Sequence, residues 1–302
     1  MAAMDSARVL VTGVSGPIGA ALVPSLKSRG FQVTRLVRGP VFSEGQISWD
    51  PAQPLAPESV SGFAAVIHLA GERVVGRWTS SKKTKIRDSR VVATRNLAQS
   101  LAQAKDRPRV LITASAVGYY GDRGEELLRE ESPPGSGFLA EVCREWEGAN
   151  QPATEAGIRT AQIRIGVVLS PAGGALQKML PPFRMGVGGN LGSGRQWMSW
   201  IHVQDLVGAV HHILKTDLLQ GPVNTVAPKP VTNADFTKAL GSVLSRPTIF
   251  PVPAFAAKLA FGQMAEEVLL GSQHVEPAKL IASGYPFQYT ELRKALEAVL
   301  KS

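Results

Sequence analysis

Three glycines at three-residue spacing follow a short run of β-forming residues near the start of the chain. Residues 9–11 read Val-Leu-Val, then come Gly13, Gly16 and Gly19, and an apolar helical pattern follows. A strand, a glycine turn and a helix in this order form the context of a dinucleotide-binding fingerprint. We expect Gly13 to allow a tight turn, Gly16 to admit a pyrophosphate and Gly19 to let helix and strand pack closely. The helix N-terminus would then face the phosphates.

Composition indicates a soluble globular protein. The 302 residues are 44% hydrophobic and 19% charged, which fits one large domain or two unequal ones. The single cysteine, Cys143, can form no intrachain disulfide, so we expect a reducing compartment. The residues before Arg8 lack the apolar core of a signal peptide, and no apolar run approaches the roughly 20 residues of a membrane span. We therefore expect a cytoplasmic protein with no membrane partner.

The formal net charge of +9 has two interpretations. Excess cations attract nucleic acids or anionic surfaces in general, or they bind a phosphorylated ligand while the remainder is solvated. The densest basic cluster lacks the interleaved aromatic residues of RNA-binding segments; it consists of Lys82, Lys83, Lys85, Arg87 and Arg90. We therefore expect a small-molecule substrate and disfavour nucleic acid as a partner.

Strand-like and helix-like patterns alternate through the first half of the chain. Short apolar runs are typical of buried parallel strands, and the alternation implies right-handed crossovers. The expected fold class is α/β, a Rossmann-like doubly wound parallel sheet with a small, mostly helical C-terminal cap. Strands are predicted at Arg8–Val11, Gln32–Val37, Ala65–Leu69, Val110–Ala114, Thr160–Val168 and Pro222–Val226, and helices at Ile18–Ser28, Lys83–Gln103 and Leu139–Glu155.

The composition changes after Ser170. Residues 171–196 are rich in Gly and Pro, which predicts an irregular segment over the carboxyl edge of the sheet. This segment is either an ordinary surface loop or a substrate-side loop with glycine hinges. We predict a dinucleotide-binding domain over 1–170, to which 199–227 return, and a substrate-side loop and cap over 171–198 and 228–302.

Six stretches together resemble an atypical branch of the extended short-chain dehydrogenases/reductases. These are the NAD-dependent epimerase/dehydratase-like proteins with a C-terminal domain of unknown function, also described as cell-division-inhibitor-like. The resemblance covers essentially the whole chain and implies an NADP(H)-binding Rossmann domain with a smaller cap. It also implies a homodimer through the two long helices. The matching stretches are Thr12–Gly19, His68–Glu72, Ser115–Gly121, Phe138–Glu147, Gly192–Trp197 and Trp200–Leu206.

The end of the second strand distinguishes the two nicotinamide dinucleotides. An NAD-preferring site has an Asp or Glu there for the ribose 2′-hydroxyl, whereas residues 32–38 contain no acid. Arg38 stands where the resemblance implies a ligand for the 2′-phosphate. A guanidinium can donate two hydrogen bonds to a phosphate and stack on adenine. We therefore expect NADP(H) as the cofactor.

Further cofactor contacts are predicted at later strand ends and on the long helix. His68 is predicted to pack within its strand, and the small residues after it would let adenosine approach the backbone. For Lys85 and Arg90 a solvated helix face is the alternative interpretation. The full predicted set is Gly13, Ser15, Gly16, Pro17, Ile18, Gly19, Val37, Arg38, Leu69, Ala70, Gly71, Lys85, Arg90, Ser115, Arg164 and Val168.

The acid/base residues usual in short-chain dehydrogenases are only partly present. These enzymes use a Ser or Thr with a Tyr-x-x-x-Lys pair, which needs a helix so that both side chains share one face. Ser115 follows the strand Val110–Ala114, but the helix that should carry the pair has Leu139 and Cys143 at its positions. A one-residue shift gives Phe138 and Val142 instead. No register restores the pair.

Two functions therefore stay open. The first is an NADP(H)-dependent oxidoreductase with Ser115 and Tyr119 as catalytic residues. Its pocket would lie between these two residues and the loop Gly186–Trp197, whose residues Arg195, Gln196 and Trp197 either line the pocket or form an ordinary surface loop. The second is a non-catalytic NADP(H)-binding regulatory or sensor protein. No metal site is expected, because no pair of the five histidines shows ligand spacing with carboxylate or cysteine support.

Overall fold

A parallel seven-stranded sheet forms the centre of the molecule, seen in a computed structural model that describes residues 7–301. Its strand order is β11-β7-β5-β4-β1-β2-β3, and every neighbouring pair is parallel. The strands are β1 (Arg8–Thr12), β2 (Gln32–Val37), β3 (Gln46–Ser48), β4 (Ala65–His68), β5 (Val110–Ala116), β6 (Leu127–Leu128), β7 (Arg159–Ile165), β8 (Val167–Leu169), β9 (Trp197–Met198), β10 (Trp200–His202), β11 (Gly221–Thr225), β12 (Val231–Thr232) and β13 (His274–Val275).

Helices cover both faces of this sheet, as the doubly wound class requires. One face packs on α1 and α6 through a core that includes Leu22, Leu26 and Val210. The other face packs mainly on α2 through Leu97 and Leu101. The helices are α1 (Pro17–Ser28), α2 (Ser80–Gln103), α3 (Phe138–Gly148), α4 (Gln151–Glu155), α5 (Ala175–Arg184), α6 (Val203–Lys215), α7 (Asn233–Leu244), α8 (Ala254–Phe261), α9 (Ala278–Ala282) and α10 (Leu292–Lys301).

The strand order reverses direction between β1 and β4. From β1 the chain builds outward to β2 and β3, then crosses back to β4 on the other side. In open parallel sheets, ligands bind outside the carboxyl ends of the strands at such a switch point. The predicted fold class is confirmed, and the glycine turn after β1 lies at this point.

A second, smaller core supports the C-terminal part. It joins α5, α7 and α10 with β8 and β10, and buries Leu180, Trp200, Leu240 and Leu296. Three two-stranded ladders accompany the main sheet: β8 with β10, β9 with β12, and β6 with β13. The last of these joins the C-terminal part to the segment that follows β5.

Three local predictions are wrong. The predicted helix over 139–155 is interrupted after Gly148, and α4 begins with Pro152 in its first turn; this proline lacks an amide hydrogen and its ring opposes a helix running through it. The predicted strand Thr160–Val168 divides at Gly166, where a Cβ would lie 2.5 Å from the Ser199 carbonyl oxygen.

The third concerns residues 171–196, which are not irregular throughout because α5 lies inside them. Leu176, Leu180 and Phe183 of α5 recur at helical spacing and are buried in the smaller core. Burial of this apolar face outweighs the two prolines at 181 and 182, because tertiary packing commonly overrides local propensity.

Candidate functional site

The turn after β1 is shaped by two glycines that tolerate no side chain. Gly13 has φ +70°, and a Cβ there would lie 2.6 Å from the carbonyl carbon of Leu69. A Cβ on Gly19 would lie 2.4 Å from the Gly13 carbonyl oxygen. At Gly16 the nearest atom to an added Cβ is 3.4 Å away. The turn is therefore pressed against the end of β4 while its Gly16 edge stays open.

The N-terminus of α1 is suited to an anion. Gly16 is its N-cap and makes no side-chain capping bond, Pro17 occupies the first turn, and no acidic residue lies there. Ser15 beside it is exposed, and Ile18 is half-buried. The first amide groups of a helix and its positive dipole end attract phosphate when no side chain caps them. These residues fit the diphosphate of a dinucleotide.

A buried hydrogen-bond cluster fixes the ends of β1 and β4 to each other. The Thr12 hydroxyl accepts bonds from the amides of Leu69 and Ala70, both at 3.1 Å. Its own proton is then directed to Nδ1 of His68, 2.7 Å away. Burial lowers the pKa of His68 to about 4, so the ring is neutral near pH 7. His68 therefore has a structural role: it positions the segment that ends in Gly71.

Basic residues lie together at one corner of the carboxyl edge of the sheet, near the ends of β2 and β4. Lys82 donates a 2.6 Å hydrogen bond to Glu72, which directly follows Gly71. This bond, followed by the charges of Lys82, Lys85 and Arg38, lowers the pKa of Glu72 although its partial burial opposes the shift. The structure thus brings Arg38, from the end of β2, and Lys85, from α2, to the same corner. Arg38 is exposed and has no hydrogen-bond or ion-pair partner among the described residues.

Arg90 lies directly against Gly71. A Cβ on Gly71 would lie 3.2 Å from the guanidinium carbon of Arg90. The guanidinium donates one bond, to the Ile86 carbonyl at 3.1 Å, and lies 5.1 Å from the ring centre of Trp146. Its other N–H groups have no partner within residues 7–301 and are free for an anionic ligand. Burial lowers the pKa of Arg90.

Arg164 makes its hydrogen bonds inside the protein, and its predicted cofactor contact stays a prediction. Its Nε and Nη2 donate to the two carboxylate oxygens of Glu147, each at 2.8 Å. Its Nη1 donates to the Tyr120 hydroxyl at 2.9 Å and to the Glu130 carbonyl at 3.1 Å. Only 2% of the Arg164 side chain is exposed. Burial alone would lower its pKa, but the bonds and charge of Glu147 and Tyr120 together raise it.

Ser115 belongs to the same buried network. Its hydroxyl donates to Oε1 of Glu147 at 2.7 Å. Tyr120 donates to Oδ1 of Asn224 at 2.6 Å, and burial raises the pKa of Tyr120 to about 12. The structure therefore places Ser115 where its proton is held by an internal carboxylate.

Tyr119 differs from its neighbour Tyr120 in exposure and partners. It is half-buried, and the Arg164 guanidinium lies over its ring, 3.5 Å from the centre. Its hydroxyl has no hydrogen-bond partner in the part of the chain that the structure describes. No lysine accompanies Tyr119 at the usual four-residue spacing, and the cation beside it in the structure is Arg164. The contact is made through the face of the tyrosine ring.

An apolar cluster stands where the Tyr-x-x-x-Lys pair would be. Leu139 packs with Trp78, Phe138 and Met264. Cys143, one turn later, is buried, and this burial raises the pKa of its thiol to about 12. No proton relay is present at these two positions of α3, and the thiol is held in its protonated form.

Glu267 was not found by sequence reasoning. Its carboxylate accepts bonds from the backbone amides of Phe138 at 3.0 Å and Leu139 at 2.8 Å, and from Gln263 at 2.6 Å. It therefore caps the N-terminus of α3 from the C-terminal part. A cavity of about 250 Å³ lies beside this contact, lined partly by Gly118, Gly121 and Leu139. Its lining includes the glycines on both sides of Tyr119 and Tyr120.

The remaining predicted residues lie around the same sheet edge or in the loop before β10. Val37 is half-buried at the end of β2, and Val168 is half-buried in the middle of the short strand β8. Gln196 donates to the carbonyls of Leu191 and Leu269 at 3.0 and 3.1 Å, so it supports the loop from inside. Trp197 donates to Glu125 at 2.6 Å. Arg195 is exposed.

Residues 7–301 contain neither a metal-binding cluster nor a membrane-spanning helix. No group of three or more His, Cys, Asp or Glu side chains in that range is arranged to hold a metal ion. No helix within it combines the length and apolar character needed to cross a membrane.

Comparison with known proteins agrees with the fold and with the glycine turn. Residues 9–225 match the model of the NAD dependent epimerase/dehydratase family, and residues 252–299 match a domain of unknown function, DUF1731. The chain belongs to the NAD-dependent epimerase/dehydratase family. An epimerase family protein of Mycobacterium bovis, Mb2239, is 41% identical over 295 residues, which are 97% of each chain.

Two solved structures are also similar. The crystal structure of human epimerase family protein SDR39U1 with NADPH is 35% identical, with a TM-score of 0.90 over 98% of this chain and 99% of that one. A nucleoside-diphosphate sugar epimerase from Corynebacterium glutamicum is 40% identical, with a TM-score of 0.81; the match covers 98% of this chain and 58% of that one. Both comparisons extend over the Rossmann sheet and the cap.

Proposed function

We propose that this protein is a cytoplasmic NADP(H)-dependent oxidoreductase of the short-chain dehydrogenase/reductase type that acts on a small molecule. One observation carries the proposal: the open, uncapped turn at Gly16 lies at the same sheet edge as Arg38, Lys85 and Arg90. The NADPH in the similar human structure supports the choice of cofactor. The bound cofactor would supply the hydride, and every other step falls to side chains of this chain.

Each cofactor group has a candidate partner. The diphosphate fits the amides at the start of α1, with Arg90 beside Gly71 as a second, cationic contact. Arg38 and Lys85 would bind the 2′-phosphate, because both reach the corner next to Glu72 and Arg38 has no internal partner. The segment Leu69–Gly71, fixed by Thr12 and His68, forms the wall for adenosine. Val37, at the end of β2, and Val168, within β8, add apolar contact.

Tyr119 is the proposed proton donor or acceptor for the substrate. It is the tyrosine of this site whose hydroxyl has no hydrogen-bond partner among the described residues, and the Arg164 guanidinium lies over its ring and fixes its position. Ser115, Glu147 and Arg164 are proposed as positioning residues. They contact one another, and Arg164 contacts the ring of Tyr119. This assignment replaces direct catalysis by Ser115.

The apolar cluster around Leu139 favours a second candidate, a non-catalytic NADP(H)-binding sensor. Such a protein binds the cofactor without changing its redox state. A panel of aldehydes, ketones and quinones, monitored by the absorbance of NADPH, distinguishes the two. Oxidation of NADPH that depends on one compound class supports the enzyme, whereas binding without oxidation across the panel supports the sensor.

Tyr119→Phe tests the proposed proton transfer. The variant keeps the ring beneath Arg164 and removes only the hydroxyl. General acid–base catalysis contributes about a hundredfold or more, so turnover should fall by about that factor while NADPH binding is retained. Tyr289→Phe is the matched control, because it removes a tyrosine hydroxyl that donates to Gln204 and lies outside the proposed site. Equal turnover of Tyr119→Phe and the control would rule out this role for Tyr119.

We also propose a homodimer through the outer faces of α2 and α3. A cavity of about 470 Å³ between them is lined by Arg87, Val91, Val92 and Arg95 of α2 together with Glu145 of α3. Val92 is exposed there. Light scattering of the wild type and of Val92→Glu should give a dimer and a monomer, respectively. A monomeric wild type would contradict this assembly.

A further inference from the structure

Large apolar side chains are exposed together on one surface of the C-terminal part. The exposed fractions are 69% for Met185, 72% for Ile249, 73% for Phe255 and 76% for Leu259. We define the exposed side chains of residues 184–187 and 246–261 as the cap face. Soluble monomers rarely expose large contiguous apolar patches, and those that occur usually mark a binding surface.

The two segments of the cap face lie side by side. The amide of Val252 donates to the Asn190 carbonyl at 2.8 Å, and the amide of Gly192 donates to the Val252 carbonyl at 2.9 Å. At one end, Nε of Arg246 donates to the Arg184 carbonyl at 2.9 Å. The exposed residues therefore belong to one surface rather than to separate sites.

Helix α8 extends this surface. Phe255 and Leu259 are four residues apart, so they lie on the same side of the helix. Of the residues of α8, Ala257 is the buried one. A helix that is apolar and yet largely exposed lacks the partner that would normally cover it.

The charged residues of the cap face that have no ion-pair partner among the described residues are basic. No Asp or Glu occurs between Glu155 and Asp205, or between Asp235 and Glu266. Lys258 is neutralised by Glu266 at 3.0 Å. Arg184 and Arg246 are exposed and form no ion pair among the described residues. The cap face is therefore an apolar surface with a basic margin, which suits an anionic partner.

We propose that the cap face docks on an anionic lipid surface. Apolar side chains that enter the headgroup boundary, with cations beside them, are the features by which peripheral proteins bind such surfaces. Residues 249–257 read Ile-Phe-Pro-Val-Pro-Ala-Phe-Ala-Ala and offer no side-chain hydrogen bond, whereas protein interfaces carry about one hydrogen bond per 100–200 Å². A second copy is disfavoured because its cap face has the same charge.

This docking needs no membrane-spanning segment. The expectation of no membrane partner rested on the absence of a long apolar run, and a surface formed by two distant segments leaves no such run in the sequence. The proposal therefore revises that expectation for peripheral contact alone. It is independent of the cofactor site, since none of the proposed NADP(H) contacts lies on the cap face.

Co-sedimentation with vesicles tests the proposal. The full-length protein is mixed with vesicles of phosphatidylcholine alone and with vesicles that also contain anionic phosphatidylglycerol. We expect binding to the anionic vesicles, and weaker binding as salt is raised. Phe255→Ser with Leu259→Ser should reduce the partition coefficient by about tenfold or more, because two apolar side chains no longer enter the lipid. Arg184→Gln with Arg246→Gln should abolish the preference for anionic vesicles.

Matched controls keep the result specific. Leu218→Ser changes a leucine that is even more exposed but lies outside the cap face, and Arg144→Gln removes an exposed arginine on α3. Both variants should bind as the wild type does. NADPH titration of each variant checks that it is folded. The proposal is overturned if the wild type does not bind anionic vesicles. It is also overturned if the Phe255/Leu259 variant binds as well as Leu218→Ser.

Discussion

The two halves of the candidate site differ in how far they keep the usual design of their fold. At the switch point between β1 and β4, the glycine turn, the uncapped helix and the basic corner are all in place. In the half of the site formed by the end of β5 and by α3, the apolar cluster around Leu139 stands in place of the usual catalytic pair. The Ser115 hydroxyl there donates its hydrogen bond to Glu147. The contrast teaches that binding a dinucleotide depends mainly on backbone shape, whereas catalysis depends on a few side chains that can be lost without loss of the fold.

The largest expected effect concerns the half of the site at the end of β5. Glu147→Ala leaves the Arg164 guanidinium buried without its carboxylate, which should lower the free energy of unfolding by about 3–5 kcal/mol. Denaturant unfolding measures this. Glu145→Ala, two residues earlier and more exposed, should cost far less. If the two variants were equally stable, the buried hydrogen-bond network of Glu147 and Arg164 would not be what stabilises this half of the site.

The free energy of unfolding should depend on pH because of His68, which lies at the switch point. His68 has a folded pKa of about 4 against about 6.5 when unfolded, so the unfolded state binds its proton first. Stability is therefore unaffected above pH 6.5 and decreases as pH falls toward 4, by about 3 kcal/mol for this group.

Burial also lowers the pKa of His202 and the pKa of His211 to about 4, so both residues reduce stability at low pH as His68 does. His68→Gln should therefore remove part of the decrease and leave the remainder. Thermal or denaturant unfolding between pH 7 and about 4 measures the difference. An unchanged pH profile in His68→Gln would mean that His68 is not held neutral by its site.

A substitution in the glycine turn should cause a smaller loss of stability but a large loss of cofactor binding. Gly13→Ala forces a side chain into a left-handed conformation and against the Leu69 carbonyl, at a cost of about 1–3 kcal/mol. Cofactor binding should be lost because the turn must shift. Gly16→Ala, which has room for a Cβ, is the control for stability. Equal destabilisation by the two variants would contradict the description of the turn.

The sequence was sufficient for the fold because its main signals are local. Strand, glycine turn and helix lie within one short stretch, and each glycine has a steric reason that its spacing reveals. Arg164 could not be placed this way, since its partner Glu147 lies on a helix and the contact depends on packing. One signal was available: a charged residue in a strand buried on both faces requires a buried acid. Glu267 is 129 residues from Phe138, and nothing local predicts that contact.

We propose that backbone shape and the basic corner together make this an NADP(H) site. Titration of the wild type and of Arg38→Ala with NADPH and with NADH tests it most directly, with Arg144→Ala as a control. The wild type should prefer NADPH by about tenfold or more, equal to about 1.4 kcal/mol per tenfold. Arg38→Ala should lose that preference and keep its affinity for NADH. Equal affinity of the wild type for both dinucleotides, or binding of neither, would contradict the account.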